Sequence, residues 1–305
     1  MRFAAALVLA LATATSVLAQ EYPTRPVRIV VPYPPGGNSD IVARLVADQL
    51  GRIWGKPVIV DNKPGANGIV AANAVKNAPA DGHTLLVASS AALAVNPTIY
   101  RQLPYDPLKD FVPVAVYLKS PFVLVSHPSL PVRSVSELAT YVKARPAQLS
   151  YASTGPGGAP RLVTELFMRH YGLDITHVPY KNTPQGIVDI AAGHVQLGFV
   201  EASASRPFIR DKRLRALAVS SLARFNSLPD VPALAEATGR PDMEAVSWHA
   251  LAAPAATPRA AINRLHGEMA RIIALPDVSK AIASLDLIRS EEHTSELQSR
   301  LHLVC

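Results

Sequence analysis

A glycine-rich loop at residues 32–40, Pro-Tyr-Pro-Pro-Gly-Gly-Asn-Ser-Asp, contains the residue types best suited to binding an anion. It follows a β-branched run and precedes apolar residues at helical spacing, which predicts a strand, a turn and a helix start. Glycines there leave backbone N–H groups uncovered, and the helix dipole adds partial positive charge. The loop therefore predicts a carboxylate or phosphate site, with an ordinary strand–turn–helix connection as the alternative. The candidate ligand-binding residues are Tyr33, Pro35, Gly36, Gly37, Asn38, Ser39 and Asp40.

Three side chains of this loop have open roles. Asn38 or Ser39 is expected to be the helix N-cap, because its side chain can accept a hydrogen bond from a first-turn N–H. Asp40 could be a catalytic carboxylate, but its position favours a first-turn residue that complements the helix dipole. In that second role Asp40 would compete with an anionic ligand unless its side chain turns away.

A second loop, Ser-Thr-Gly-Pro-Gly-Gly at residues 153–158, repeats the arrangement of strand, glycine-rich turn and helix start. Two such helix starts would be redundant in one domain, but they fit two domains that face each other across a cleft and share one ligand. A serine pair closes a further predicted strand, and ligands gather at the carboxyl ends of strands in parallel sheets. These segments add the candidates Ser89, Ser90, Ser153, Thr154, Gly155, Gly157 and Gly158.

The elements that must position these loops alternate between strands and helices, which predicts parallel sheets with helices on their faces. An extended stretch at residues 243–252 is expected to return the chain to the first domain. We therefore predict an α/β fold with a discontinuous domain 1, residues 20–119 and 248–288, and a domain 2, residues 121–247. The helix after the first loop should bury one face, formed by Ile41, Val42, Leu45, Val46, Leu50 and Ile53.

Composition limits the function further. The chain has 305 residues, of which 49% are hydrophobic and 17% charged, enough for two domains with buried cores. The net charge is +7, but the basic residues are scattered and no lysine- or arginine-rich tract is interleaved with aromatics. This pattern argues against nucleic-acid binding and favours an anionic ligand. The single cysteine, Cys305, excludes an internal disulfide.

The N-terminus is typical of an exported protein. Residues 1–19 combine Met1-Arg2, an apolar run too short for a membrane span and the sequence Val17-Leu18-Ala19, which predicts a signal peptide cleaved before Gln20. No cysteine follows the apolar run, so a lipid anchor on the mature N-terminus is not expected. We predict a soluble protein of the periplasm.

Catalytic and metal-binding motifs are missing. Gly-x-Ser-x-Gly, Walker A and Gly-x-Gly-x-x-Gly do not occur, and the nine histidines are dispersed with no His-Glu-x-x-His. The sequence therefore predicts no catalytic residue, no metal site and no cofactor.

Six motifs occur in the order found in one known family. They are residues 32–40, residues 60–68, Asp-Gly-His-Thr-Leu-Leu at 81–86, Tyr105-Asp106 with Asp110-Phe111, His-Val-Pro-Tyr-Lys at 177–181 and Ala-Gly-His-Val at 192–195. Together they resemble the Bug-type, TctC-like periplasmic solute-binding proteins of the tripartite tricarboxylate transporters, from Gln20 to about Ile288. This sequence departs from the family pattern at two places: Phe199 is followed by Val200-Glu201, and Lys181 by Asn182.

The resemblance implies a type II periplasmic-binding-protein fold, with two α/β domains, a hinge and an interdomain cleft. It also implies capture of a small organic carboxylate by a monomer that delivers it to membrane permease subunits. Tyr180, in the fifth motif, joins the candidate ligand-binding residues on this basis.

Two other functions remain open at this stage. A periplasmic protein of this kind could report its ligand to a membrane sensor kinase instead of a permease. A secreted α/β enzyme could use the same loops for a phosphorylated or carboxylated substrate, but the missing nucleophile–base motifs disfavour it.

The C-terminal residues 289–305 differ in character from the rest of the chain. Residues 289–299 resemble the translation of a sequencing-library adaptor, and the apolar helical spacing ends before them. We expect this tail to be non-native and Cys305 to have no redox role. The alternative is a genuine polar tail, which many proteins have.

Overall fold

The larger of two sheets contains the first loop and the serine pair. The computed structural model describes residues 22–155, 157–240 and 243–290, and within these ranges six strands form this sheet, in the order β11-β4-β10-β3-β1-β2. β1, β2 and β3 are mutually parallel, whereas β10 runs antiparallel to both β3 and β4. Its strands are β1 (Val27–Val31), β2 (Val58–Asn62), β3 (Thr84–Ser89), β4 (Phe111–Ser120), β10 (Ser247–Pro254) and β11 (Ile288–Arg289).

The smaller sheet contains the second loop. Five strands of the described chain form it, in the order β7-β6-β8-β5-β9. β6 is parallel to β7 and β8, while β5 is antiparallel to β8 and β9. Its strands are β5 (Phe122–Ser126), β6 (Ser150–Ser153), β7 (Thr176–Pro179), β8 (Leu197–Glu201) and β9 (Arg215–Val219).

Helices cover both faces of each sheet and bury its apolar side chains in four clusters. A serine N-cap starts one of them, since Ser134 accepts a hydrogen bond from the Glu137 N–H at 3.1 Å. The helices are α1 (Asn38–Trp54), α2 (Ile69–Lys76), α3 (Asn96–Ile99), α4 (Val135–Lys143), α5 (Ala159–Tyr171), α6 (Thr183–Ala191), α7 (Ala202–Arg210), α8 (Leu234–Thr238), α9 (Arg259–Ala274) and α10 (Pro276–Ser284).

The buried face predicted for α1 is partly wrong. Val42, Val46 and Leu50 are buried in the core of the larger sheet, but Ile41 and Ile53 are 41% and 47% exposed. Ile41 lies about 140° around the helix from Val46 at 100° per residue, and Ile53 is in the last turn, so neither packs on the sheet. The buried face of α1 is therefore narrower than the apolar stripe in its sequence.

The chain crosses between the sheets at two adjacent places. β4 ends at Ser120 and β5 begins at Phe122, so one residue separates the two sheets on the first crossing. The return crossing enters β10, where Ser247 is in register with Ser120. The backbone N–H of Ala245 donates to the Ser220 carbonyl at 2.9 Å, which holds the returning segment against β9. The two crossings therefore lie side by side, as a hinge requires.

The predicted two-domain α/β fold is confirmed by this architecture and by the structural relatives described below. The exact domain limits stay a prediction, as does the signal peptide, which lies outside the described residues. Of the tail, only Arg289 and Ser290 are described, and Arg289 pairs with Leu118 of β4. No helix in the described ranges is long and apolar enough to cross a membrane.

Candidate functional site

The first loop connects β1 to α1 and leaves the helix start uncapped. Gly37 is the N-cap residue, with φ −77° and ψ 165°, and no side chain among the described residues caps the helix there. Gly36 has φ +85°, a left-handed conformation that favours glycine. The first-turn N–H groups are thus available to an anion.

The N-cap expected at Asn38 or Ser39 is wrong, because both residues are already helical and their side chains are used elsewhere. The Asn38 amide exchanges two hydrogen bonds with the Ser203 hydroxyl of the smaller sheet's domain, at 3.0 and 3.2 Å. The Ser39 hydroxyl lies 3.0 Å from Nε2 of His249. These side chains hold the loop in place, and among the described residues no side chain caps the first-turn N–H groups of α1.

Asp40 turns back into its own loop. Its carboxylate, 3% exposed, accepts hydrogen bonds from the Gly36 N–H at 2.9 Å, from Arg44 Nε at 3.0 Å and from Asn62 Nδ2 at 2.9 Å. Burial alone would raise the pKa of Asp40, but these hydrogen bonds outweigh it and lower that pKa below its ordinary value. The carboxylate is therefore ionised, compensated by Arg44 and directed away from an incoming anion. Asn62 also donates to the Tyr33 carbonyl at 3.0 Å and so fixes both ends of the loop.

Three more side chains complete the domain 1 side of the candidate site. Tyr33 packs edge-on against His249, with ring centroids 5.7 Å apart. Burial raises the pKa of Tyr33, a hydrogen bond with Ser89 opposes that effect in part, and the charge of Glu201 raises it further. The Ser90 hydroxyl lies 3.0 Å from that of Ser247 in the returning strand. Tyr33 and Ser89 thus meet at one edge of the larger sheet, and Ser90 lies beside the hinge.

His249 is a buried neutral base beneath the first loop. Its Nε2 contacts Ser39, and its Nδ1 has no hydrogen-bond partner among the described residues. Burial lowers the pKa of His249 to about 4, so the ring is uncharged at neutral pH.

Acid should destabilise the fold through this histidine. An unfolded histidine protonates near pH 6.5 and native His249 near pH 4, so the unfolded state binds more protons between these values. The free energy of unfolding should therefore fall by about 3 kcal/mol as the pH falls across this window. Urea unfolding at about pH 7, 5.5 and 4.5 should show a shallower decline for His249→Gln. His194→Gln, at a site 73% exposed, should keep the wild-type slope; equal slopes for all three proteins would contradict the prediction.

The second loop connects β6 to α5 and has the same uncapped start. Gly158 is the N-cap residue, with no side-chain cap in the described chain and a proline in the first turn of α5. Gly155 has φ +96°, a conformation that favours glycine, and its carbonyl accepts from the Gly158 N–H at 3.2 Å. The Ser153 hydroxyl lies 2.6 Å from Nε2 of His177. Ser153 and Thr154 line a small cavity together with Tyr180 of the neighbouring strand end.

Tyr180 offers its ring rather than its hydroxyl to that cavity. The hydroxyl donates to Oδ2 of Asp189 at 2.8 Å, and the backbone N–H donates to the Ser153 carbonyl at 2.8 Å. Burial and the neighbouring Asp189 raise the pKa of Tyr180 to about 12. Tyr180 therefore shapes one wall of the second loop.

Direct contacts join the two loops to the opposite domain. Asn67 Nδ2 donates to the Gly157 carbonyl of the second loop at 3.1 Å, while Asn38 of the first loop contacts Ser203 of α7. One turn further along α7, Arg206 donates to the Ser284 carbonyl at 3.2 Å. Both loops thus border the cleft between the two sheets, and neither Ser203 nor Asn67 was predicted from sequence. Asn67 lies in one of the quoted motifs, which was the available signal; Ser203 had none.

The structure brings serine and histidine together where the sequence showed no nucleophile–base motif. Ser153 with His177 and Ser39 with His249 are both within hydrogen-bond distance. Neither histidine has a hydrogen bond to a carboxylate among the described residues, so neither pair has the orienting acid of a triad. No group of three metal-ligating side chains occurs in the described ranges.

Comparison with known proteins places the chain in a family. The model of the TctC family, described as "Tripartite tricarboxylate transporter family receptor", matches residues 42–300. Protein BugT of Bordetella pertussis is 40% identical over 245 residues, which cover 80% of this chain and 75% of BugT.

Two solved structures from Rhodopseudomonas palustris share the fold. One, solved with adipate, is 34% identical with a TM-score of 0.84 and covers 93% of this chain and 95% of its own. The MatC protein, solved with bound malate, is 29% identical with a TM-score of 0.81 and covers 93% and 97%. The family and the fold are those of substrate-binding proteins, as the six motifs indicated. The chain therefore belongs to the TctC receptor family of the tripartite tricarboxylate transporters, a family of periplasmic solute-binding proteins.

Proposed function

We propose that this protein captures a small organic carboxylate in the cleft between its two sheets. The carrying observation is the pair of uncapped helix starts, α1 at Gly37 and α5 at Gly158, each in a loop that contacts the opposite domain. Backbone N–H groups at such positions bind carboxylates through charge-assisted hydrogen bonds. The fifteen residues named from the sequence form this proposed site.

The electrostatics of the first loop support an anionic ligand. Asp40 is the acidic residue nearest the start of α1, and its charge is compensated by Arg44 and two further hydrogen bonds. The proposed site residues include no lysine or arginine. The ligand carboxylate is therefore held by neutral donors and the helix dipoles, which suits capture followed by release.

The relatives support the same ligand class. Adipate and malate, present in two related structures, are both small dicarboxylic acids. Family membership further supports delivery of the ligand to the membrane subunits of a tripartite transporter, with the exported protein acting in the periplasm.

A thermal-shift screen tests the proposal on the chain that starts at Gln20. The panel contains mono-, di- and tricarboxylic acids, with and without amino groups. A ligand present at about 100 times its Kd stabilises the native state by about 2.7 kcal/mol, which should raise the Tm by several degrees. Chloride at equal ionic strength is the control. A panel in which no carboxylate raises the Tm above the chloride control would refute carboxylate capture.

A further inference from the structure

Helix α7 of the smaller sheet's domain touches domain 1 at two places. Ser203 and Arg206 are three residues apart on this helix and so lie on the same face of it. Ser203 exchanges hydrogen bonds with Asn38 of the first loop. Arg206 contacts the end of α10, a helix that packs in the core of the larger sheet. One face of α7 therefore spans from the first loop to the end of α10.

The Arg206 guanidinium binds two acceptors of domain 1 at once. Its Nη1 lies 3.2 Å from Oδ2 of Asp286, and its Nη2 donates to the Ser284 carbonyl at 3.2 Å. Ser284 is the last residue of α10, where the backbone carbonyls lack intrahelical partners and the helix dipole is negative. A guanidinium presents its donors in a rigid planar fork, which suits two neighbouring acceptors. The end of α10 thus receives a cation that the opposite domain supplies.

The turn that contains Asp286 does not itself require a carboxylate. Helix α10 ends in a Schellman motif, in which Asp286 N–H donates to the Ala283 carbonyl at 3.0 Å and Leu287 N–H to the Ile282 carbonyl at 3.3 Å. Asp286 has a φ of +56°, and the usual residue at this left-handed position is glycine, with asparagine next. The aspartate is therefore unfavourable for the backbone, and its use lies in the contact that its side chain makes.

That contact compensates a buried charge. The Asp286 side chain is 4% exposed, and its Oδ2 is buried without a hydrogen bond among the described residues, so the ion pair with Arg206 stabilises this oxygen. Removing the partner of a buried charge is costly, whereas an exposed pair contributes little. Arg210 and Asp211, on the same helix, form a pair of the second kind, with side chains 77% and 54% exposed. Only the pair of Arg206 and Asp286 would lose its cation if α7 moved away.

We propose that Arg206 and Asp286 form an interdomain ion pair that favours the closed form of the protein and so raises its affinity for the ligand. The inference rests on the proposed function, because closure affects affinity only if the ligand binds between the domains. Since Ser203 and Arg206 lie on one face of α7, a movement that separates Ser203 from the first loop also separates Arg206 from Asp286. Stabilising the binding-competent form raises the apparent affinity without any contact to the ligand.

Two single substitutions and their combination test this role. Arg206→Gln removes the cation, and Asp286→Asn removes the anion but keeps a residue that suits the left-handed turn. In titration calorimetry with the best ligand of the panel, each should bind about fivefold more weakly than the wild type. Both changes break the same ion pair, so the double variant should bind no more weakly than either single one.

Arg210→Gln is the matched control. It makes the same substitution one turn further along α7, where the arginine pairs with its neighbour in its own domain at 3.1 Å. This variant should bind as the wild type does. The loss caused by Arg206→Gln should also shrink in about 1 M sodium chloride, because salt screens the ion pair.

The outcomes separate this inference from carboxylate capture. Wild-type affinity in Arg206→Gln would overturn it, and so would tighter binding, since the pair would then hold the domains apart. Losses that add in the double variant would also overturn it. Thermal unfolding verifies that the variants fold. If the wild type binds no ligand, carboxylate capture is refuted, and small-angle scattering of the ligand-free proteins decides about the ion pair. A larger radius of gyration in Arg206→Gln than in Arg210→Gln would support it, and equal values would overturn it.

Discussion

Replacing Gly157 by alanine is expected to weaken ligand binding about tenfold, or about 1.4 kcal/mol. A Cβ at this position would lie 2.5 Å from Cδ1 of Ile99 and would collide with the side-chain amide of Asn67, both in the opposite domain. Asn67 cannot easily move, because its amide donates to Asn96 at 2.6 Å and Asn96 donates back to the Asn67 carbonyl at 3.1 Å. The methyl group should therefore hold the second loop away from domain 1. Titration calorimetry with the best ligand of the panel measures the change.

Gly267→Ala is the matched control, because it adds the same methyl group at a position where there is room for it. Its Cβ would meet no atom within 4 Å, and the residue lies inside α9, where alanine is favourable. It should bind as the wild type does. In the double variant Asn67→Gly with Gly157→Ala, the collision with the amide is removed, and glycine tolerates the φ of +53° at residue 67. Affinity should recover in part. Wild-type affinity in Gly157→Ala alone would show that the two domains need not approach at this point.

Asp40→Asn should lower the free energy of unfolding by about 2 kcal/mol at neutral pH. The substitution keeps the size of the side chain but removes the negative charge to which Arg44, Asn62 and the Gly36 N–H donate hydrogen bonds. The Asp40 side chain is only 3% exposed. Because the pKa of Asp40 is lowered in the native state, its contribution is present above the unfolded pKa, near 3.9, and is lost as the pH falls through the native value. Urea unfolding at about pH 7 and pH 3 should therefore show a smaller difference between variant and wild type at the lower pH.

The same helix provides the control. Asp48 and Arg52 repeat the spacing of Asp40 and Arg44 on α1, but their side chains are 51% and 71% exposed. Asp48→Asn should change the free energy of unfolding by less than about 0.5 kcal/mol, as is usual for exposed pairs. If Asp40→Asn costs no more than Asp48→Asn, the first loop does not depend on its internal carboxylate.

The glycine-rich loops could be predicted from the sequence because their conformation depends on residues that lie close together in the chain. Gly36, with its left-handed φ, and Gly37, at the uncapped helix start, both lie within a few residues of the strand that precedes them. The orientation of Asp40 could be predicted only in part, because Gly36 and Arg44 lie four residues from it but its third partner, Asn62, lies 22 residues away on β2. Ser203 and His249 contact the first loop across 165 and 210 residues, and no periodicity in the sequence indicates such a pairing.

Helix α7 illustrates a different limit. Residues 202–210 contain two serines, two arginines and a proline at 207, and the serines and the proline disfavour a helix. The structure forms the helix there because Ala202 packs in the core of the smaller sheet and Ser203 and Arg206 contact the other domain. The contacts that stabilise α7 are tertiary, so the local sequence does not reveal them. Two of them, from Ser203 and Arg206, cross between the domains beside the candidate site.

The position of β10 has a consequence for how the chain is made. β3 and β4 do not pair with each other; β10, residues 247–254, lies between them and pairs with both. The smaller sheet draws all its strands from residues 122–219, so it can form from one continuous stretch of nascent chain. The larger sheet cannot close until residues 247–254 have been synthesised. The smaller sheet can therefore form on the nascent chain while domain 1 is still incomplete.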